Sequence, residues 1–466
     1  MTPATTGAEK PGPAARPQPG APRDYQFPRV ERATLANGMR IVVAPVSKLP
    51  IATVLAIVEA GATAEPAEAR GVAALTARLL LEGAAGMDGA ALADRFERIG
   101  ATVESRADWD VAAVSLTALT AQLPEALSLV RDLLRAPSFP EREVARLKQE
   151  RLADLLQQRA EPRGLADEQF ACAVYSASAR YAWPDGGTAE SVRGLTRDDV
   201  LAFYAARFRP AGATLVFAGD VTMAQARALA ESMFGDWTGA QPLPAPTGAD
   251  DARTGPLTRI VAKADAPQSE VRVGHVGLPR RAPDYFDAMV MNAILGGLFS
   301  SRINLNLREA HGYTYGAFSA FEWRRGAGPF VVSTAVKSDV TAAAVQEILL
   351  EIERMRTEEI GEAELTLATS YLDGVFPIRY ETTAAIAAAL ANLVIHDLPD
   401  DYYDRYREQV RGVTTAGVLR AAQRHLHPDE LRIVVVGDPA AIVGPLEAIG
   451  RGAVQVVTLD GDEVTR

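Results

Sequence analysis

Cysteine is nearly absent from this chain: Cys172 stands alone among 466 residues. An intrachain disulfide is therefore excluded, and so are zinc or iron–sulfur sites built on cysteine clusters. A lone cysteine among Ala, Val and Tyr reads as a small buried hydrophobe. A nucleophilic role would need a partner histidine and an electropositive setting. Histidine is scarce too. His275, His311, His396, His425 and His427 are the only five, and none lies in the first half. No run approaches the roughly 20 apolar residues of a membrane helix. The most apolar stretch, 384–395, is short and alanine-rich and reads as a buried helix. Basic residues are outnumbered, 48 Lys and Arg against 59 Asp and Glu, for a net charge of −11. That balance argues against a nucleic-acid surface, because phosphate binding needs clustered cations.

What remains is a globular composition, 48% hydrophobic and 23% charged, long enough for two or more domains. Residues 1–26 are rich in Pro, Ala and Gly and read as a disordered tail. The tail has no apolar core of the signal-peptide kind. The chain as it stands reads as cytoplasmic, or as periplasmic if a signal peptide has been removed from it.

The chain repeats itself. GLTRDDVLAFYAARFRPAGATLVFAGD (194–220) aligns without a gap on GVTTAGVLRAAQRHLHPDELRIVVVGD (412–438). Thr196 matches Thr414, Pro210 matches Pro428, and Gly219-Asp220 matches Gly437-Asp438. Each copy predicts an N-capped helix, a proline-marked stop and a β-branched strand. TLANGMRIVV (34–43) predicts a hairpin turning at Asn37-Gly38, and its Arg40-Ile41-Val42 recurs as Arg259-Ile260-Val261. Second strands are expected near 53–58 and 270–276. The organisation that follows is an N-terminal α+β repeat over 27–238, a Pro/Gly linker over 239–256 and a C-terminal α+β repeat over 257–466. Each half is expected to be a mostly antiparallel sheet covered by helices.

The stretch ILGGLFSSRINLNLREAHGYTYGAF (294–318) is the richest in polar chemistry. Gly296-Gly297 predicts a flexible break, and Ser300 or Ser301 a cap for a helix reaching about Ala310. Gly312 stands where a helix stop is wanted, and 313–318 alternates like a strand. Such a corner can bring Arg308 and Tyr315 to one point. A guanidinium and a phenol supply several donors and no negative charge, which suits a peptide carbonyl or a developing oxyanion. The same residues also read as a solvated Arg308 beside Glu309 and a core Tyr315 with a wet tip. No Gly-Lys-Ser/Thr follows the diglycine, so a P-loop is excluded.

This run resembles the C-terminal-half motif of the pitrilysin/insulinase-type zinc metallopeptidases, in the branch of mitochondrial processing peptidase and its bacterial relatives. The duplication, the linker and the Gly-Asp strand ends fit as well. The resemblance implies a clamshell half in which Gly296 and Gly297 form a substrate-binding glycine-rich loop and Arg308 and Tyr315 contact substrate near the scissile bond. It also implies His-x-x-Glu-His on a helix of the first half, with two zinc-ligating imidazoles at i and i+4 and a base between them. GVAALTARLLLEG (71–83) matches the flanks of that helix but places Ala74 and Arg78 at the histidine positions and Ala77 at the glutamate. Ala153-Asp154 fall near the expected third ligand. Neither the motif nor its inverse occurs elsewhere. His425-Leu426-His427, with Asp429, is the only histidine cluster; it aligns with Arg207 and Arg209 and reads as exposed helix-end polarity.

The resemblance therefore implies a non-catalytic subunit, inactive alone, of a heterodimeric zinc endopeptidase. No cofactor is expected in this chain; zinc is expected in a homologous partner bearing His-x-x-Glu-His. Arg308 and Tyr315 would act in trans on an extended peptide, and neither nucleic acid nor a membrane span is expected. A scaffold homologue without proteolysis, as the core proteins of the respiratory bc1 complex resemble, and a homodimeric peptide binder are the alternatives.

Overall fold

The computed structural model describes residues 24–239 and 255–464. Most of the expected tail (1–23) and of the expected linker (240–254) lie outside the described residues. Tyr25, at the tail's end, packs edge-on against Phe376 and donates its hydroxyl to the Tyr380 carbonyl (3.0 Å).

Two six-stranded sheets carry the chain. The first runs Glu31–Thr34, Arg40–Pro45, Ala213–Gly219, Ile51–Val58, Ala112–Leu119, Thr102–Ala107 from edge to edge. Only the Arg40–Pro45/Ala213–Gly219 pair is parallel. The second runs Ala317–Phe321, Pro329–Lys337, Gln268–Val276, Arg432–Gly437, Leu257–Ala262, Ala453–Val457. Its last two pairings are parallel and the others antiparallel. Each half is thus the mostly antiparallel, helix-covered α+β unit that the repeat predicts.

Local chemistry explains the shared blocks. Asn37-Gly38 closes the first hairpin, with the Asn37 side chain accepting from the Met39 amide (3.2 Å). Thr196 caps Arg197–Arg207 and Thr414 caps Thr415–His425, the aligned threonines accepting from the backbone of the first turn. The Arg40/Arg259 match does not hold in register. Arg40 lies opposite Thr214, whereas it is Leu257 that lies opposite Arg432, the counterpart of Thr214. The motif match is two residues out, a shift that keeps every side chain on the same face.

The strands Ala213–Gly219 and Arg432–Gly437 are buried at every position. Such strands are covered on both sides and so read as continuous apolar runs. The cover comes from the other half. Helix Thr383–Ile395 of the second half packs on the first sheet, where Thr383 Oγ1 meets Thr53 Oγ1 at 2.9 Å. Helix Pro162–Val174 of the first half packs on the second sheet, where Asp167 pairs with Arg272 at 2.6 Å. The alanine-rich stretch is therefore buried as expected, but against the opposite half. No single helix among the described residues is long and apolar enough to cross a membrane. A third seam is the turn 322–328. Arg324 stacks on Trp109 (4.3 Å) and Tyr181 (4.6 Å), and the Arg325 amide donates to buried Asp110 (3.0 Å).

Candidate functional site

The helix Val72–Leu79 begins at Gly71, which has no side chain to cap it. Glu65 takes that role: its Oε1 accepts from the amides of Gly71 (3.0 Å) and Ala73 (2.8 Å), and its Oε2 pairs with Arg180 (2.7 Å). Burial pushes the Glu65 carboxyl up, and Arg180 pulls it back. On this helix Ala74 is half-buried and Ala77 fully buried. The Ala77 carbonyl accepts from Ser105 Oγ (2.6 Å), which ties the helix to the edge strand Thr102–Ala107. Arg78 reaches Glu150 (2.6 Å), and Glu150 also holds Arg146. The Arg78 and Arg146 guanidiniums hold the Glu150 carboxyl below its ordinary value. The carboxylate facing Arg78 is thus Glu150, one turn before the expected Asp154, which is exposed.

These residues do not fit zinc. Methyl groups at 74 and 77 offer no donor, and Arg78 sets a fixed cation, already neutralised by Glu150, where a dication would sit. Among the described residues no group of three or more His, Cys, Asp or Glu side chains is arranged to hold a metal ion.

The second region is built on residues 293–318. Gly296 and Gly297 end a wide helical turn, Ala293–Gly297, rather than a flexible break. Gly296 is buried against the strand Ala317–Phe321: a Cβ there would lie 2.4 Å from Ser319 Oγ and 2.6 Å from its nitrogen. Asn292 and Ser319 exchange hydrogen bonds (2.8 and 3.1 Å) across the same contact. Ser301 stands at the start of the next helix, but its buried hydroxyl has no hydrogen-bond partner among the described residues and makes no cap. That helix runs Arg302–Asn304 and widens over Leu305–Ala310. Wide turns of this kind recur at functional sites. Asn304 pins the loop from below, donating to the Phe299 carbonyl (2.6 Å) and accepting from the Ala317 amide (3.0 Å). Gly312 (φ +66°) stops the helix, and its amide reaches the Arg308 carbonyl (3.2 Å).

Arg308 is about one-third exposed. Its guanidinium lies 4.5 Å over the Phe299 ring, and its Nε is 3.5 Å from Glu309. Its terminal nitrogens have no hydrogen-bond partner among the described residues. Tyr315 is 95% exposed. It lies before the strand, not on it. Thr314 Oγ1 bonds both the amide (3.1 Å) and the carbonyl (3.0 Å) of Gly316, a side-chain-backed turn that delays the ladder to Ala317. Tyr315 is therefore no core aromatic. Arg308 and Tyr315 stand on the two arms of one corner, with no hydrogen bond or ion pair joining them among the described residues. His311, between them, stacks on Tyr313 (4.9 Å) and lies 3.8 Å from Glu347.

The histidine pair is not exposed polarity. His425 pairs with Asp284 (2.7 Å), and the His427 amide donates to buried His275 (3.1 Å). Cys172 is half-buried, its thiol donating to the Ala182 carbonyl (3.2 Å). The sequence reading passed over Glu65, Glu150 and Phe299. Phe299 alone left a signal: a large apolar residue in a loop, outside any helical or strand period.

Two helix-covered α+β repeats, one carrying Ala74, Ala77 and Arg78 on its helix Val72–Leu79 and the other an exposed Tyr315 beyond Arg308, define the class as that of pitrilysin/insulinase-type clamshell halves. The insulinase (peptidase family M16) description matches residues 41–179, and the peptidase M16 inactive domain description matches residues 194–372. The chain belongs to the M16, or pitrilysin/insulinase, family. It is similar to a probable mitochondrial-processing peptidase subunit beta of Schizosaccharomyces pombe, 28% identical over 58% of this chain and 59% of that one. An uncharacterised zinc protease of Mycobacterium bovis is 24% identical over 91% of this chain and 96% of its own. Among solved structures, a peptidase M16 inactive domain from Pseudomonas fluorescens superposes with a TM-score of 0.82 at 27% identity, covering 88% of this chain and 98% of that one.

Proposed function

We propose that this chain is the substrate-handling, non-catalytic subunit of a heterodimeric zinc metallopeptidase. One observation carries the reading. The helix that the resemblance expects to hold zinc bears Ala74, Ala77 and a neutralised Arg78, while the terminal nitrogens of Arg308 and the hydroxyl of exposed Tyr315 have no hydrogen-bond partner among the described residues. A chain that had lost all contact with substrate would have no need of that corner. Zinc and the general base then belong to a homologous partner bearing His-x-x-Glu-His. Its metal supplies Lewis-acid polarisation of the scissile carbonyl. This chain contributes Arg308 and Tyr315, whose N–H and O–H groups donate to a peptide carbonyl and to the oxyanion that grows from it. The peptide is held extended. The edge strand Thr102–Ala107, tied to the helix Val72–Leu79 through Ser105, has one edge unpaired among the described residues, where an added strand would pair.

The test mixes this chain with a His-x-x-Glu-His homologue from the same genome and follows a quenched fluorescent peptide. The mixture should cleave faster than the partner alone. Arg308→Ala and Tyr315→Phe should each slow the mixture about 10- to 100-fold. Equal rates with and without this chain would favour a scaffold or a homodimeric binder. Unchanged rates in both variants would remove the site assignment while leaving the complex intact. Metal analysis of the isolated chain should find no stoichiometric zinc.

A further inference from the structure

Tyr315 is almost fully exposed, although the strand that follows it would bury it if continued. Along Ala317–Phe321 burial alternates: Ala317, Ser319 and Phe321 face in, and Phe318 and Ala320 face out. A strand has a period of two, so position 315 falls on the inward face. Ala317 lies opposite Thr334, and the same register carried back would set Tyr315 opposite buried Val336. Alternation alone would therefore turn the Tyr315 ring into the core.

A knot of hydroxyls prevents this. The Ala317 amide and the Ser319 carbonyl point away from the strand Pro329–Lys337, to Asn304 (3.0 Å) and Asn292 (3.1 Å). The residues alternating with them carry the ladder bonds, and Gly316 is the next of that set. Its amide and carbonyl are instead both taken by Thr314 Oγ1, at 3.1 and 3.0 Å. Buried Thr334 closes the knot from the neighbouring strand. Its Oγ1 lies 3.1 Å from both Thr314 Oγ1 and the Gly316 carbonyl, so its one proton is shared between them.

We propose that Thr334 is a positioning residue: through Thr314 it ties up both backbone groups of Gly316, stops the ladder at Ala317 and turns the Tyr315 hydroxyl out toward the peptide. The proposal rests on the reading of Tyr315 as a substrate-facing donor and deepens it. The availability of that donor is set from the strand Pro329–Lys337, by a residue that touches no substrate.

Fluorotyrosine labelling of the full chain tests this. Among the signals of its 12 tyrosines, that of Tyr315 is the one lost in Tyr315→Phe. In the wild type it should be sharp and show the full H2O/D2O isotope shift of an exposed ring. Thr334→Val keeps the β-branched shape without the hydroxyl, and should broaden the signal or add a second, solvent-protected one. Thr334→Ser should keep the wild-type signal. In the mixture with the partner, Thr334→Val should lower kcat about threefold to tenfold with KM within about twofold, and Thr334→Ser should not. The loss should vanish in the Tyr315→Phe background, because the threonine acts only through that tyrosine. A Tyr315 signal unchanged by Thr334→Val, or a kcat loss that persists with Tyr315→Phe, overturns the proposal and leaves the peptide-handling reading standing. A mixture that cleaves no faster than the partner alone overturns that reading, and the fluorine signal by itself then decides whether Thr334 holds Tyr315 outward.

Discussion

A methyl group at position 296 would fall inside contact distance of both Ser319 Oγ and the Ser319 nitrogen. The backbone atom cannot yield without disturbing the Ala317–Phe321 ladder. Gly296→Ala should therefore destabilise the chain by about 1–3 kcal/mol, as overpacking does, with urea midpoints giving the measurement. An unchanged midpoint would mean that the diglycine is the free break that its sequence suggests. The expectation that the helix 71–83 holds no zinc is argued from donor atoms alone, since Ala has none. The partner of Arg78 was not legible in the sequence. Glu150 and Asp154 stand one turn apart on the helix Glu141–Ala160, and only the packing of that helix on Val72–Leu79 decides which carboxylate faces the guanidinium. Tyr315 was read two ways, as a donor and as a core aromatic, and its exposure removes the second.

At the scale of elements, the strand Gln268–Val276 meets the end of the helix Thr415–His425 through one imidazole. His275 Nδ1–H donates to the Val276 carbonyl (2.8 Å), and Nε2 accepts from the His427 amide, so the ring is neutral. Burial, with His427 and His425 close by, holds its pKa down to about 4. The unfolded chain takes up that proton first. The stability is complete above about pH 6.5 and is lost as pH falls toward 4. Between pH 7 and 4.5 the wild type should lose roughly 2–3 kcal/mol through this group. His396, likewise held near 4 by burial and by Arg280 and Arg325, adds a loss of the same sign. His275→Gln, which keeps a donor and an acceptor, should flatten the slope; urea titrations at several pH values would show it. An identical slope in the variant would assign the acid sensitivity to other groups. The strand-to-helix repeat was visible because capping threonines and proline stops act locally. The strand expected from Tyr313 begins only at Ala317, because alternation cannot reveal that Thr314 bonds Gly316 first.

The molecule as a whole is held together by exchange. Each half lends a helix to the other's sheet, Thr383–Ile395 to the first and Pro162–Val174 to the second, and the turn 322–328 docks Arg324 and Arg325 into the first half. Neither sheet has its full cover without the other half. Thermal unfolding should accordingly be one cooperative transition, with calorimetric and van't Hoff enthalpies in agreement. Residues 24–239 expressed alone should fail to give a folded, soluble product. Two separated transitions, or a stable isolated half, would show that the exchanged helices are surface decoration.

The sequence by itself determined the duplication, the antiparallel bias of each half and the glycine stop between Arg308 and Tyr315. These follow from short-range rules: capping, turn residues and periodicity. Only the tertiary structure decided that the apolar helix 383–395 covers the opposite sheet, that Glu150 neutralises Arg78 and that Phe299 underlies Arg308. Each of those contacts joins residues that no local period relates, and each is selected by which surfaces must be buried together once the two halves close on one another.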